Sequence, residues 1–266
     1  MVFSIAACIV ALRMEKVYRA AVLLVPAAAE RNGMSASLGT ALTQLGGLAA
    51  LAGVNAGSGD VVTEESLAVL KSRQFTERFI NDNSLIPILF AAKWDAAAKK
   101  WKVAASREPT PGKAYRFFDR RVRSIVRDKK TGLVSLQIDW PDRALAAAWA
   151  NQLIQRLNDE MRDRAIAKAD ASIGFLEREV AKTAVVDTRA AISRLIETEE
   201  KQRMLANVNR EYAFRVVDKA IAPDADDPVW PPKILIAALG SVLGLMVGIV
   251  VAIVLTRRRP SAVSAD

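Results

Sequence analysis

Apolar positions form one unbroken run near the end of this chain. Ile234 to Leu255 contain twenty-two residues without a charge and stop just short of Arg257, Arg258 and Arg259. A helix of that length reaches roughly 33 Å, enough to cross the hydrocarbon core of a bilayer. The pattern predicts a membrane helix over 234–255. Positive residues favour the cytoplasmic side, so the arginine triplet predicts a cytoplasmic tail over 256–266 and a periplasmic location for the bulk of the chain. A second apolar run, Val2 to Leu12, has only eleven residues before Arg13, Glu15 and Lys16. That is too short to span, and it lacks the basic n-region and small-residue cleavage site of a signal peptide. Residues 1–16 are read as part of a first membrane helix that begins upstream. Arg13, Lys16 and Arg19 would then lie outside, against the bias that the triplet obeys.

Between these runs the pattern changes period several times. Val17 to Pro26 is β-branched and ends on proline, predicting a strand. Ser35 to Gly59 is small, apolar and glycine-rich, read as a mobile or interface-packed segment. From Thr63 or Glu64 to about Asp82, Leu67, Leu70, Phe75, Phe79 and Ile80 share one helical face. Arg121–Asp128 and Leu133–Trp140 predict two strands joined by Lys129-Lys130-Thr131-Gly132, a hairpin turn. Asp142 is placed to cap the next helix. From Arg143 to about Arg210 only Gly174 interrupts a run free of glycine and proline, with Leu145, Trp149, Leu153, Leu157 and Met161 four apart. Its i,i+4 pairs are Glu160 with Arg164, Glu197 with Lys201 and Glu199 with Arg203. One break is expected at the β-branched run Thr183–Val186, with Asp187-Thr188 as its cap. Straight, such a helix would extend about 100 Å, so it either projects or folds back as a hairpin. Tyr212 to Ala222 reads as a returning strand, and Pro223, Pro228, Pro231 and Pro232 as a stiff linker into the membrane, with Trp230 and Lys233 at the interface. The expected fold class is α+β. Residues 17–142 form a membrane-proximal α/β base, 143–210 the long helical region and 211–233 the returning strand and linker, flanked by membrane helices.

Composition narrows the chemistry. The chain has no histidine and one cysteine, Cys8. Imidazole bases, histidine metal sites, intrachain disulfides and thiolate clusters are thereby excluded. The net charge of +9 is spread among mixed signs with no basic stripe interleaved with aromatics, which argues against nucleic acid. No phosphate-binding loop motif occurs, and Lys130-Thr131-Gly132 lacks the companion motif of penicillin-binding enzymes. No catalytic, cofactor-binding or metal residue is expected. Asp139 and Asp142 are explained by turn and cap roles, and Arg203, Arg210 and Arg215 by surface solvation. Gly240, Gly244 and Gly248, spaced four apart, place three missing side chains on one face of the membrane helix, where another helix can approach closely.

Several strings in order carry a family likeness. They are Tyr18-Arg19-Ala20, the Leu45–Ala50 segment, Ser72-Arg73 with Phe79-Ile80, Trp149-Ala150-Asn151 and Leu157-Asn158, then Met204-Leu205-Ala206-Asn207, Tyr212-Ala213-Phe214 and Pro231-Pro232-Lys233. With these the chain from Val17 to Leu255 resembles the polysaccharide co-polymerases, the Wzz-type chain-length determinants. It departs from them at Arg143 and Lys219, where relatives carry proline. A nucleotide-binding domain and tyrosine-rich tail, found in kinase-fused relatives, are not in this sequence, so the resemblance is to the non-kinase type. The resemblance implies a non-enzymatic inner-membrane regulator of O-antigen, capsule or exopolysaccharide length. Its implied partners are other copies of itself, a membrane polymerase, the growing glycan and membrane lipids, with no cofactor. Two rival functions are a periplasmic adaptor of an envelope export complex and a glycan-cleaving enzyme with paired carboxylates. The adaptor would require more strands than the pattern provides.

Overall fold

A computed structural model of the chain describes residues 15–27 and 58–231, together with positions 238 and 246. The expected first membrane helix, the segment 35–57 and the run 234–255, apart from Ala238 and Met246, lie outside the described residues. Among those described, no helix is long and apolar enough to cross a membrane.

The elements in chain order are β1 (Tyr18–Pro26), α1 (Ser58–Lys71), α2 (Arg73–Asp82), α3 (Ile86–Leu89), β2 (Trp94–Asp95), β3 (Lys100–Trp101) and α4 (Pro111–Phe117), which continues as a π turn over Phe118–Val122. There follow β4 (Arg123–Arg127), β5 (Val134–Trp140), α5 (Arg143–Lys182), α6 (Val186–Val208) and β6 (Phe214–Asp218). The fold is α+β, as the pattern predicts. Four strands form one sheet in the order β4-β5-β1-β6, and β2 pairs with β3 in a separate hairpin. Alternation explains the sheet's buried face: Ala20, Val22 and Leu24 of β1 and Val134, Leu136 and Ile138 of β5 are all buried. The β4–β5 turn is the expected one, with Gly132 at φ 73° and its amide donating to the Asp128 carbonyl at 2.8 Å.

By packing, the chain separates into two units. The smaller comprises the described parts of Met1–Arg19, Trp140–Ala146 and Ala222–Asp266, and the larger Ala20–Asp139 and Ala147–Ile221. In the larger unit a line of tilted rings runs from Phe79 to Phe118 at 5.9 Å and on to Trp149 at 6.3 Å. It joins α2, the π turn and α5 around the core. The predicted stripe begins half-buried at Leu145 and is core from Trp149 through Leu153 and Leu157 to Met161, at most 3% exposed.

The single helix expected over 63–82 is two helices that meet at Ser72. Its hydroxyl caps α2 by accepting from the Phe75 amide at 3.2 Å. At the end of α1 the Leu70 carbonyl accepts from buried Arg123 at 2.6 Å, and the same guanidinium donates to Thr76 and Asp119. A cation at a helix C-terminus satisfies the carbonyls that a break exposes. Helical periodicity continues across a capped break, which is why it conceals this one.

The long helix breaks where expected, between Lys182 and Val186. The expected cap does not form: Val185 is the N-cap with no side-chain bond, and Asp187 sits within the first turn. The expected Glu199–Arg203 pair is also absent, because Arg203 reaches across to Asp170 of α5 at 3.1 Å. That contact settles the geometry. Helix α6 folds back on α5, so the region is a hairpin. The facing positions are Ile166, Ala169, Ile173, Leu176 and Val180 on α5 and Ile192, Ile196, Glu199, Arg203 and Ala206 on α6, all buried or half-buried. Their alternating three- and four-residue spacing is that of two helices packed along a seam.

Candidate functional site

Two asparagines two turns apart on α5 hold the returning chain. The Asn158 side chain donates to the Phe214 carbonyl at 2.9 Å and accepts from the amides of Ala213 and Phe214 at 2.9 Å each. Asn151 repeats the device at Ala220, donating to its carbonyl at 2.9 Å and accepting from its amide at 3.0 Å. A side-chain amide has a donor and an acceptor in one plane, so it can replace a strand neighbour for a short stretch of backbone. Both residues lie in the strings that carry the family likeness. The strand they fix, β6, pairs antiparallel with β1 through Leu24↔Val216, Val25↔Arg215 and Pro26↔Phe214, with a bulge between Leu23 and Leu24. It is shorter than the Tyr212–Ala222 expected, because Asn151 rather than a strand partner takes up the Ala220 backbone.

Beside these clamps lies a cleft of about 530 Å³ lined by Gln155, Asp159, Arg210, Glu211, Val216 and Lys219, among others. It is partly open, with polar and apolar surface in about equal share, and its two asparagines are already occupied by backbone. Ion pairs join α2 to α5: Glu160 accepts from Arg78 at 3.0 Å and from Arg164 at 2.9 Å, and Arg156 pairs with Asp82. Partial burial pushes the Glu160 carboxyl upward, but hydrogen bonds and charge from Arg78 and Arg164 outweigh it and hold the group below the ordinary glutamate range.

In the smaller unit the chain that enters β1 meets the chain that follows β6. The Val17 amide donates to the Trp230 carbonyl at 3.1 Å and the Val229 amide to the Val17 carbonyl at 2.9 Å, an antiparallel bridge. The Tyr18 hydroxyl donates to the Ala225 carbonyl at 3.2 Å, and the Arg143 guanidinium lies over the Tyr18 ring at 5.7 Å while donating to the Pro223 carbonyl at 3.1 Å. Arg143, where proline is expected by resemblance, thus holds the linker. Asp142 caps α5 as predicted, accepting from the Leu145 amide at 3.0 Å. Of the linker residues, Pro228, Trp230 and Pro231 are placed here, with a cis bond between Trp230 and Pro231. Pro232, Gly240, Gly244, Gly248, Arg257, Arg258 and Arg259 lie outside the described residues.

Residues 83–120 carry no helical or strand period, and the Trp94–Trp101 hairpin within them is not foreseen. Its available signal is the near-symmetric arrangement Lys93-Trp94-Asp95 and Lys100-Trp101-Lys102. Among the described residues no group of three or more acidic or sulfur side chains is placed to hold a metal.

A family model described as the G-rich domain on putative tyrosine kinase matches residues 180–258, from the tip of the helical hairpin through the expected membrane helix. No curated protein matches the chain. Among solved structures, a fragment of WzzB, a polysaccharide co-polymerase from Salmonella Typhimurium, is 15% identical, with a TM-score of 0.35, 80% of this chain covered and 99% of that one. A full-length bacterial polysaccharide co-polymerase is 14% identical, with a TM-score of 0.33 and coverage of 98% and 96%.

Proposed function

We propose that this chain is a polysaccharide co-polymerase of the Wzz type and regulates polysaccharide chain length as a non-enzymatic inner-membrane oligomer, a reading supported by the family match over residues 180–258. The observation that carries this reading is continuity. The family match runs from the hairpin tip, down α6 and β6, through the proline linker into the apolar run 234–255. The Val17–Trp230 bridge supports two membrane helices that leave the base side by side, since the chain on either side of it leads to an apolar run.

The mechanism follows from what a two-helix hairpin leaves uncovered. Each helix can bury one stripe against the other, and Phe175, Val186, Leu195, Met204 and Val208 remain more than half exposed. Large apolar groups on an extended element are covered most economically by the same element of another copy. Copies joined through these hairpins, and through Gly240, Gly244 and Gly248 in the membrane, present a repeated periplasmic surface. That surface sets how long a polymerase retains its growing glycan. The product is an O-antigen, capsule or exopolysaccharide of defined modal length, and the C-terminal tail with Arg257, Arg258 and Arg259 faces the cytoplasm.

The test is the length distribution of surface polysaccharide in cells lacking the protein and in the same cells with it restored. A modal cluster that disappears and returns, at constant total polymer, is the expected outcome. An unchanged distribution contradicts the reading.

A further inference from the structure

The β2–β3 hairpin concentrates positive charge beside a pair of aromatic rings. Four lysines, at 93, 99, 100 and 102, fall within ten residues, and none forms an ion pair. Several cations elsewhere do meet a carboxylate, among them Arg73, Arg78, Arg123, Arg156, Arg164 and Arg203. The only acid in the hairpin, Asp95, is turned inward on its own loop, accepting from the amides of Ala97 at 3.0 Å and Ala98 at 3.1 Å. Its charge also acts on Lys102, yet four ammonium groups against one carboxylate leave the hairpin net positive.

Between these lysines stand Trp94 and Trp101, directly cross-strand, with ring centroids 4.8 Å apart in edge-to-face contact and both partly exposed. The geometry is held before any ligand arrives. The Asp95 turn closes the tip, the Lys102 amide donates to the Lys93 carbonyl at 2.9 Å, and Lys99 occupies the left-handed region at φ 48°.

We propose that this hairpin is a docking site for an acidic polysaccharide. A sugar ring presents axial C–H groups that lie flat on an indole, and a uronic acid or pyruvylated sugar presents a carboxylate to an ammonium. A partly exposed tryptophan pair flanked by unpaired lysines offers both at once. A lipid surface fits less well: insertion into headgroups needs large apolar side chains at the tip, whereas this tip is Ala96-Ala97-Ala98 and the indoles sit below it, packed on each other. The choice of a glycan among polyanions rests on the proposed function. The site itself rests on charge and geometry.

The test uses the full chain in nanodiscs made from a neutral lipid, with polygalacturonate as acidic probe, dextran as neutral control and phosphatidylglycerol vesicles as the lipid alternative. Polygalacturonate should bind, more weakly as salt rises, and dextran should not. The combined change Lys99→Gln, Lys100→Gln, Lys102→Gln leaves the tryptophan pair in place and should weaken binding by about tenfold or more. Trp94→Phe, which preserves a ring, should weaken it less. Retained binding in the triple variant, equal binding of dextran, or binding of vesicles in place of polygalacturonate overturns the site. The two proposals fail separately. A modal cluster lost on deletion but no polygalacturonate binding removes the site and keeps the function, and binding without any effect of deletion does the reverse.

Discussion

Asn158 is 4% exposed and has three hydrogen bonds to backbone, so truncating it strands two amides and a carbonyl where water does not enter. Each buried polar group left without a partner costs roughly 1–3 kcal/mol. Asn158→Ala should lower unfolding stability by about 2–4 kcal/mol, whereas Asn151→Ala, at a part-buried site with two bonds, should cost about 1 kcal/mol. Denaturant titration of both variants checks the order. Glu160 supplies a pH dependence. Its folded value is lowered, so its stabilising contribution is complete above the ordinary glutamate range and is lost as pH falls through the folded value. Wild type should exceed Glu160→Gln in stability near neutrality, and the gap should close under acid. A gap independent of pH would show that Arg78 and Arg164 do not hold the charged form.

At the scale of elements, Gly174 lies within α5, where its missing side chain weakens the helix. A β-carbon there would meet only Arg178, at 3.6 Å, an ordinary contact. Gly174→Ala should therefore raise stability by about 0.5–1 kcal/mol, seen as a higher melting temperature. The same helix shows what periodicity reveals and conceals. Its start at Asp142, its core stripe at Trp149, Leu153 and Leu157, and its break at Thr183–Val186 are all local properties of sequence. Glycine at 132 likewise announces its turn. Ser72 does not announce a break, because the apolar face formed by Leu67, Leu70, Phe75 and Phe79 carries on through it. What closes that break is Arg123, about fifty residues away. The partner of Arg203 is equally remote: an i,i+4 acid was available at Glu199, but the folded-back hairpin brings Asp170 to it instead. Short irregular elements such as α3 and the Trp94–Trp101 hairpin have too few residues to show a period at all. The clamps at Asn151 and Asn158 could be read as family strings, although their chemistry required the returning strand to be placed.

For the whole molecule, the central claim is that exposed apolar groups on the helical hairpin join copies into an assembly that sets polymer length. Phe175 and Leu195 are 58% and 54% exposed in a single chain, so charges there should leave the folded protein intact while preventing close approach of a second hairpin. The measurement that tests the claim most directly is the polysaccharide length distribution of cells carrying Phe175→Glu with Leu195→Glu, at normal protein level and with total polymer quantified. The account predicts a lost or shifted modal length with total polymer unchanged. A distribution identical to wild type would contradict it.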